Sequence, residues 1–166
     1  MNHKIKTKLS FQCVEKSIFS SDHRMLINMV SKISGDQSNE ARIKSALLKL
    51  RRKMLLHFFR EETYLFPSIQ TYASHAFVLG LLTEHAGMIR MIDKILAYVE
   101  SGDLERATDR LAGLKRLLFV HCEREDREIY SAAEISGKMH EIDQKARKDK
   151  MPDGWKCAIT AKYERR

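Results

Sequence analysis

The chain writes one helix-pair plan twice, and this duplication limits its fold more than any other feature. Residues 21–33, SDHRMLINMVSKI, align without a gap on residues 83–95, TEHAGMIRMIDKI, matching His23 to His85, Ile27 to Ile89, Met29 to Met91, Lys32 to Lys94 and Ile33 to Ile95. Further along, HFFREETYLF at 57–66 is echoed by HCEREDREIY at 121–130. In both phrases His is followed by Arg three residues on, Glu four on and a second acid five on, and an aliphatic and an aromatic residue close the stretch. His23 and His57 lie 34 residues apart, and His85 and His121 lie 36 apart. Self-similarity at this period marks one supersecondary unit used twice.

Apolar residues at three- and four-residue spacing predict that each unit is a pair of helices. A first helix covers at least Asp22 to Ile33, with an earlier helical turn or two left open, Ser20 or Ser21 as N-cap and an inner line of His23, Leu26, Val30 and Ile33. A second, from about Asn39 to Tyr72, lines up Leu47, Leu50, Met54, His57, Glu61 and Tyr64 or Leu65, with Pro67 kinking it or ending its regular part. A third, about Ser74 to Glu100, lines up Leu81, His85, Met88, Ile92, Ile95 and Val99. A fourth runs from about Leu104 into the 130s with Leu111, Leu114, Leu118, His121 and Glu125 inward. SGDQSNE at 34–40 and SGD at 101–103 are the clearest breaks. Only seven Gly and two Pro interrupt the chain, which favours long helices. The expected fold is all-α: an antiparallel up-down four-helix bundle with an internal two-fold repeat over residues 1–137, followed by a basic C-terminal extension, 138–166.

No apolar run approaches the roughly 20 residues needed to cross a bilayer, and MNHKIKTKLS at the start has no apolar segment behind it. Cys13, Cys122 and Cys157 are odd in number and form no CxxC, so neither a disulfide framework nor a thiolate zinc site is indicated. These features predict a soluble cytoplasmic protein with no membrane partner. The formal charge is +8, and residues 138–166 contribute nine Lys or Arg against five Asp or Glu, or +4. No aromatic stacking motif or recognition helix accompanies this charge, so the tail reads as solvated or as a minor interface, and nucleic acid is not an expected partner.

On a helix, positions i and i+4 share a face, so His57 with Glu61 and His121 with Glu125 each present an imidazole and a carboxylate in one direction. His23 and His85 lie on the stripes of the other two helices. Six candidate ligands therefore aim at one interior region: His23, His57, Glu61, His85, His121 and Glu125. Two carboxylates facing each other in a bundle core repel and lose hydration, which calls for cations between them. A pair of divalent metals meets that need, each taking two His, with both Glu bridging. Mixed imidazole and carboxylate ligation with open positions suits iron first, then manganese, then zinc.

Other residues read differently. His3, His75 and His140 have no counterpart in the repeat and are expected not to be ligands. Cys122 points about 100° round the helix from His121, which favours packing. Glu62 and Asp126 are lateral, with Asp126 the alternative to Glu125 as a ligand. Tyr64, one turn past Glu61, reads either as a hydrogen-bond donor facing the metals or as a core tyrosine. No HExxH and no ExxH occurs, which removes the zinc-protease and usual ferritin-like signatures.

Between about residues 20 and 130 the chain resembles the hemerythrin-like, or HHE cation-binding, family. The markers are DH at 22–23, HFFREETYLFP at 57–67, EH at 84–85 and HCERE at 121–125. The resemblance implies a helix bundle holding a non-haem di-iron centre, with the same six ligands. Oxygen-carrying members have a fifth histidine on the third helix, where Leu81 and Ile89 stand here. The pattern is closer to the symmetric branch with four His and two Glu, which includes di-iron proteins implicated in repairing iron centres after nitric oxide or oxidative stress. The implied function is to bind or react with a small ligand, oxygen, nitric oxide or peroxide, in sensing or stress response. Two alternatives stand beside it: reversible oxygen storage, and a metal-state-dependent sensor or adaptor that meets a protein partner through the C-terminal tail.

Overall fold

A computed structural model describes residues 17–34, 39–71 and 73–163. Cys13, His3, Tyr72 and part of the predicted 34–40 break lie outside the described residues. Among the described residues every regular element is helical: α1 (Ile18–Ser34), α2 (Glu40–Arg60), α3 (His75–Glu100), α4 (Leu104–Arg124), α5 (Met139–Lys148) and α6 (Ala158–Tyr163). No described helix is long and apolar enough to cross a membrane.

The helix ends follow from side chains that satisfy otherwise orphaned backbone groups. Asn39 accepts from the Arg42 amide, Ser74 from Phe77 and Asp103 from Arg106, at 3.0, 3.2 and 3.2 Å. For α1 the expected cap was one turn late: Ser17, not Ser20 or Ser21, accepts from the Ser20 amide at 3.2 Å. The earlier turn that the sequence left open is present and buries Ile18 and Phe19. At the other end of the third helix, Gly102 takes φ 75° and its amide bonds to Val99 while the Asp103 amide bonds to Tyr98. This closing motif needs a left-handed residue, which is why Gly sits at the centre of the SGD break.

Helix α1 packs on α2 and α4, and α3 packs on α2 and α4, so the four long helices form a closed ring of neighbours. The predicted stripes are the buried ones. Leu26, Val30, Leu47, Leu50, Met54, Met88, Ile92, Ile95, Leu114 and Leu118 form one apolar cluster. Phe19, Leu65, Phe66, Ile69, Leu81, Ile129, Tyr130 and Ala133 form a second. Along each helix the polar residue lies between the two: Phe19–His23–Leu26, Met54–His57–Leu65, Leu81–His85–Met88 and Leu118–His121–Ile129. The site is thus a polar layer between two apolar ones, each fully buried Leu or Ile contributing about 1.5–3 kcal/mol.

Neither α2 nor α4 continues as a regular helix. Each passes into a π-helical turn, Glu61–Leu65 after α2 and Glu125–Tyr130 after α4, before a short α-helical ending at Phe66–Ser68 and Ser131–Ile135. The Phe66 amide bonds back five residues to the Glu61 carbonyl. In both helices the wide turn begins at the interior glutamate.

Of the two readings of the C-terminal segment, solvated or a minor interface, the described residues fit contact with the helices. Ile142 and Ala146 of α5 are buried in the second cluster, and Cys157 in the first. Arg60 donates to the Ala146 carbonyl at 3.1 Å, and the Asp143 carboxylate accepts the Ile18 amide. Trp155 meets Phe59 edge-on at 5.6 Å. The basic residues of α5 point outward while its sparse apolar ones point in, so net charge alone was a poor guide to its burial.

Candidate metal centre

All six residues singled out in the sequence meet in the polar layer: His23 is 1 % exposed, and His57, Glu61, His85, His121 and Glu125 are 0 % exposed. Among the described residues, two overlapping sets have the composition and spacing to hold metal ions. His23, His57, Glu61 and Glu125 form one; Glu61, His85, His121 and Glu125 form the other. Each residue offers one donor atom, and within a set these atoms lie within 4.8 Å of one another. The two glutamates belong to both sets.

The imidazoles turn their Nε2 atoms inward. His57 Nε2 lies 3.3 Å from Glu61 Oε1, His121 Nε2 3.2 Å from Glu125 Oε2, His23 Nε2 3.2 Å from Glu125 Oε2, and His85 Nε2 3.4 Å from Glu61 Oε2. Glu61 thus reaches the histidine of its own helix and that of α3, and Glu125 that of its own helix and that of α1. Phe58 stacks on His85 at 3.9 Å, and the Phe66 ring lies near-parallel to His85 at 5.7 Å.

A second layer of carboxylates faces the Nδ1 atoms. Glu62 Oε1 lies 2.8 Å from Nδ1 of His85, Asp126 Oδ1 3.1 Å from Nδ1 of His23, and Glu84 Oε2 2.9 Å from Nδ1 of His121. Asp22 comes within 3.7 Å of Nδ1 of His57 and is gripped by Arg60 at 2.6 Å; Arg124 grips Glu84 in the same way. An Nδ1–H that donates to a carboxylate fixes the ring's orientation and leaves Nε2 free to bind. The second acid of each repeated phrase, read as lateral in the sequence, thus orients the histidine of a different helix. Asp126 reaches His23 Nδ1 and is half exposed, whereas Glu125 stands among the inward donors.

The electrostatics show what the donor set lacks. Burial raises the Glu125 carboxyl, but His121, His23 and His85 outweigh it and hold it well below the usual carboxylate range. Glu61 is lowered too, although burial and the neighbouring Glu125 oppose this, because His57, His23 and His85 face it. Burial disfavours imidazolium, yet Asp126, Cys122, Glu125 and Glu61 raise His23 well above its ordinary value, and Glu125, Glu61 and Glu62 do the same for His85. His121 is raised against burial by Glu125 and Glu84. The buried carboxylates and the imidazoles facing them thus each favour the other's charged form. Even so, Nε2 of His57, Oε2 of Glu61 and both oxygens of Glu125 have no hydrogen-bond partner among the described residues. Buried polar atoms that converge without partners fit cations bound among them.

Two aromatic hydroxyls need reassignment. Tyr64 does not face the centre: its hydroxyl donates to Asp149 in the C-terminal segment. Tyr130 takes the inward position, donating to Glu61 Oε1 at 2.9 Å and lying 2.9 Å from His23 Nε2. Burial, then the charges of Glu61 and Glu125, push its phenol well above the usual range. A 3.6-residue period hid it, since i+5 from Glu125 lies about 140° round a regular helix. The π turn brings it back. The available signal was the repeat, which sets Tyr130 against Phe66 at one offset from each glutamate. Cys122 is buried in the apolar cluster, and burial raises its thiol. His75 and His140 are exposed, and His140 meets Gln144.

Residues 16–133 match the family model of the hemerythrin HHE cation binding domain. No curated protein and no solved structure matches the chain.

Proposed function

This chain belongs to the hemerythrin HHE cation-binding family, and from that premise we propose that it is a non-haem di-iron protein that binds or reacts with oxygen, nitric oxide or peroxide. One observation carries the reading: two histidine pairs share two fully buried glutamates, which lie between them without enough hydrogen-bond partners. On this reading His23 and His57 hold one ion, His85 and His121 the other, and Glu61 and Glu125 serve both. The fold that presents them is an antiparallel up-down four-helix bundle made by duplicating one helix pair.

Two iron ions supply Lewis acidity and a store of electrons for a small ligand. The chain's own residues do the rest. Glu62, Glu84 and Asp126 aim the imidazoles, and Arg60 and Arg124 fix the carboxylates that face the two π-flanking histidines. Leu81 and Leu118 close the layer to water, which strengthens each charge interaction inside it. Imidazole with carboxylate favours iron over manganese and zinc. With Leu81 and Ile89 on α3, no further histidine competes for the ions there, which favours reaction with the ligand over simple reversible carriage.

Metal analysis of protein produced with iron should give close to two irons per chain. Folded protein without iron overturns the reading. Absorption spectra before and after oxygen, nitric oxide and peroxide then separate carriage, which restores the starting spectrum on ligand removal, from reaction, which consumes the ligand.

A second reading, a metal-state sensor acting through the C-terminal segment in the cytoplasm, is favoured by one contact. Glu62 holds His85 with one oxygen and accepts the Ala158 amide with the other, at 2.8 Å. A change at His85 is therefore one side chain away from the segment that a partner would meet.

A further inference from the structure

We propose that Tyr130 is a further metal ligand, its phenolate oxygen binding the ion held by His23 and His57. The proposal rests on the di-iron reading above and adds an asymmetry that the six-residue set lacks.

The argument is geometric. The Tyr130 oxygen, His23 Nε2 and Glu61 Oε1 form a triangle with edges of 2.9, 2.9 and 3.7 Å. Donor atoms that are neighbours on an octahedral ion, with bonds of about 2.1 Å, stand about 3 Å apart. The hydroxyl therefore sits where an adjacent ligand sits, not a shell further out as Glu62 or Asp126 do. Once His23 Nε2 and Glu61 Oε1 are engaged by a cation, the buried phenol has lost the two partners it has in the metal-free protein. Binding the same cation restores one.

Its environment supports this. Tyr130 is 4 % exposed, and its ring stacks on His23 with centroids 5.3 Å apart. It belongs to the apolar cluster below the site, so the hydroxyl has no aqueous alternative. A bound cation of high charge favours the phenolate, and the phenolic proton passes to solvent as the oxygen binds. Phenolate is a hard anionic oxygen donor, so the ion it selects is iron(III). The partner position in the other half is Phe66, whose ring lies beside His85 and carries no donor. The two ions are therefore inequivalent: one has an anionic oxygen ligand that the other lacks, and it is the more easily kept oxidised.

The test is the visible spectrum of the full chain loaded with iron(III), with iron content measured on the same sample. Phenolate bound to iron(III) gives a charge-transfer band that imidazole and carboxylate do not. The wild type should show this band, and Tyr130→Phe, which copies the Phe66 side, should lose it while keeping most of its iron. Iron-loaded wild type without the band, or a band that persists in Tyr130→Phe, overturns the assignment and leaves the di-iron reading standing. Wild type that binds no iron overturns both. Should Tyr130→Phe not fold, resonance Raman excitation within the band of the wild type decides: tyrosinate ring modes support the ligand, and their absence removes it.

Discussion

Glu62 holds Nδ1 of His85 at 2.8 Å from the start of the π turn after α2. Because it acts on the metal only through the ring it aims, Glu62→Gln should weaken metal binding about 10–100-fold without abolishing it. Asp126→Asn should do the same through His23. Glu125→Gln, which removes a donor common to both sets, should cost more than either, and competition titration against a chelator ranks the three. Asp126→Asn costing as much as Glu125→Gln would overturn their division into orienting group and ligand.

The titrating groups give the metal-free protein a pH signature. The stability supplied by His23, His85 and His121, raised above 6.5 in the fold, is complete below that value and is lost as pH climbs through their folded values. That of Glu61 and Glu125, lowered below 4.5, is complete above 4.5 and is lost as pH falls through their folded values. Both are complete between 4.5 and 6.5, so the thermal midpoint of the metal-free chain should peak there and decline above it. Added metal needs neutral imidazole, so its stabilising shift should grow as pH rises across the same boundary. Thermal melts with and without metal at each pH measure both slopes.

Trp155 is the only tryptophan of the chain and lies on the segment that Glu62 touches through Ala158. If that segment follows the state of the centre, Trp155 emission should shift when zinc, which has no absorption to quench it, is titrated into the metal-free chain. The shift should be lost in Glu62→Gln at metal concentrations that restore occupancy. An emission change identical in the variant would remove Glu62 from the route.

The apolar layers are testable apart from any metal. Met54, fully buried above the site, should cost about 2–5 kcal/mol on replacement by Ala, whereas Leu48, 48 % exposed on the same helix, should cost about 0.5 kcal/mol or less. Urea unfolding of the two variants gives the difference. Equal costs would mean that the inner face of α2 is misassigned.

Much of this was readable from spacing alone. Leu26, Val30, Leu47, Leu50, Met88, Ile92 and Leu114 fell on the predicted stripes because long helices keep a 3.6-residue period, and the same period brought the six polar candidates to one layer. What escaped was local departure from that period. The 3.6-residue period offers Tyr64 or Leu65 to the inner face and does not single out Tyr130; with a π turn in each helix, Leu65 is the buried one, the Tyr64 hydroxyl goes to Asp149 and Tyr130 lies inside. The α1 cap was misplaced because Ser17, Ser20 and Ser21 are chemically alike and only the tertiary burial of Ile18 and Phe19 selects among them. The packing of α5 depends on Ile142 and Ala146, too few apolar residues to stand out against its charge.

The paired π turns have a bearing on what lengths of chain this protein tolerates. A helix is ordinarily intolerant of losing one residue, since everything beyond the gap rotates by about 100°. Each wide turn here contains one residue more than a regular turn requires, and Thr63 and Arg127 within them are exposed. Excising either one should let the turn close to ordinary i+4 bonding, leaving Leu65 and Phe66, or Ile129 and Tyr130, on the inner face. The turns therefore act as slack in the chain, placed beside the very carboxylates whose aim can least afford a shift.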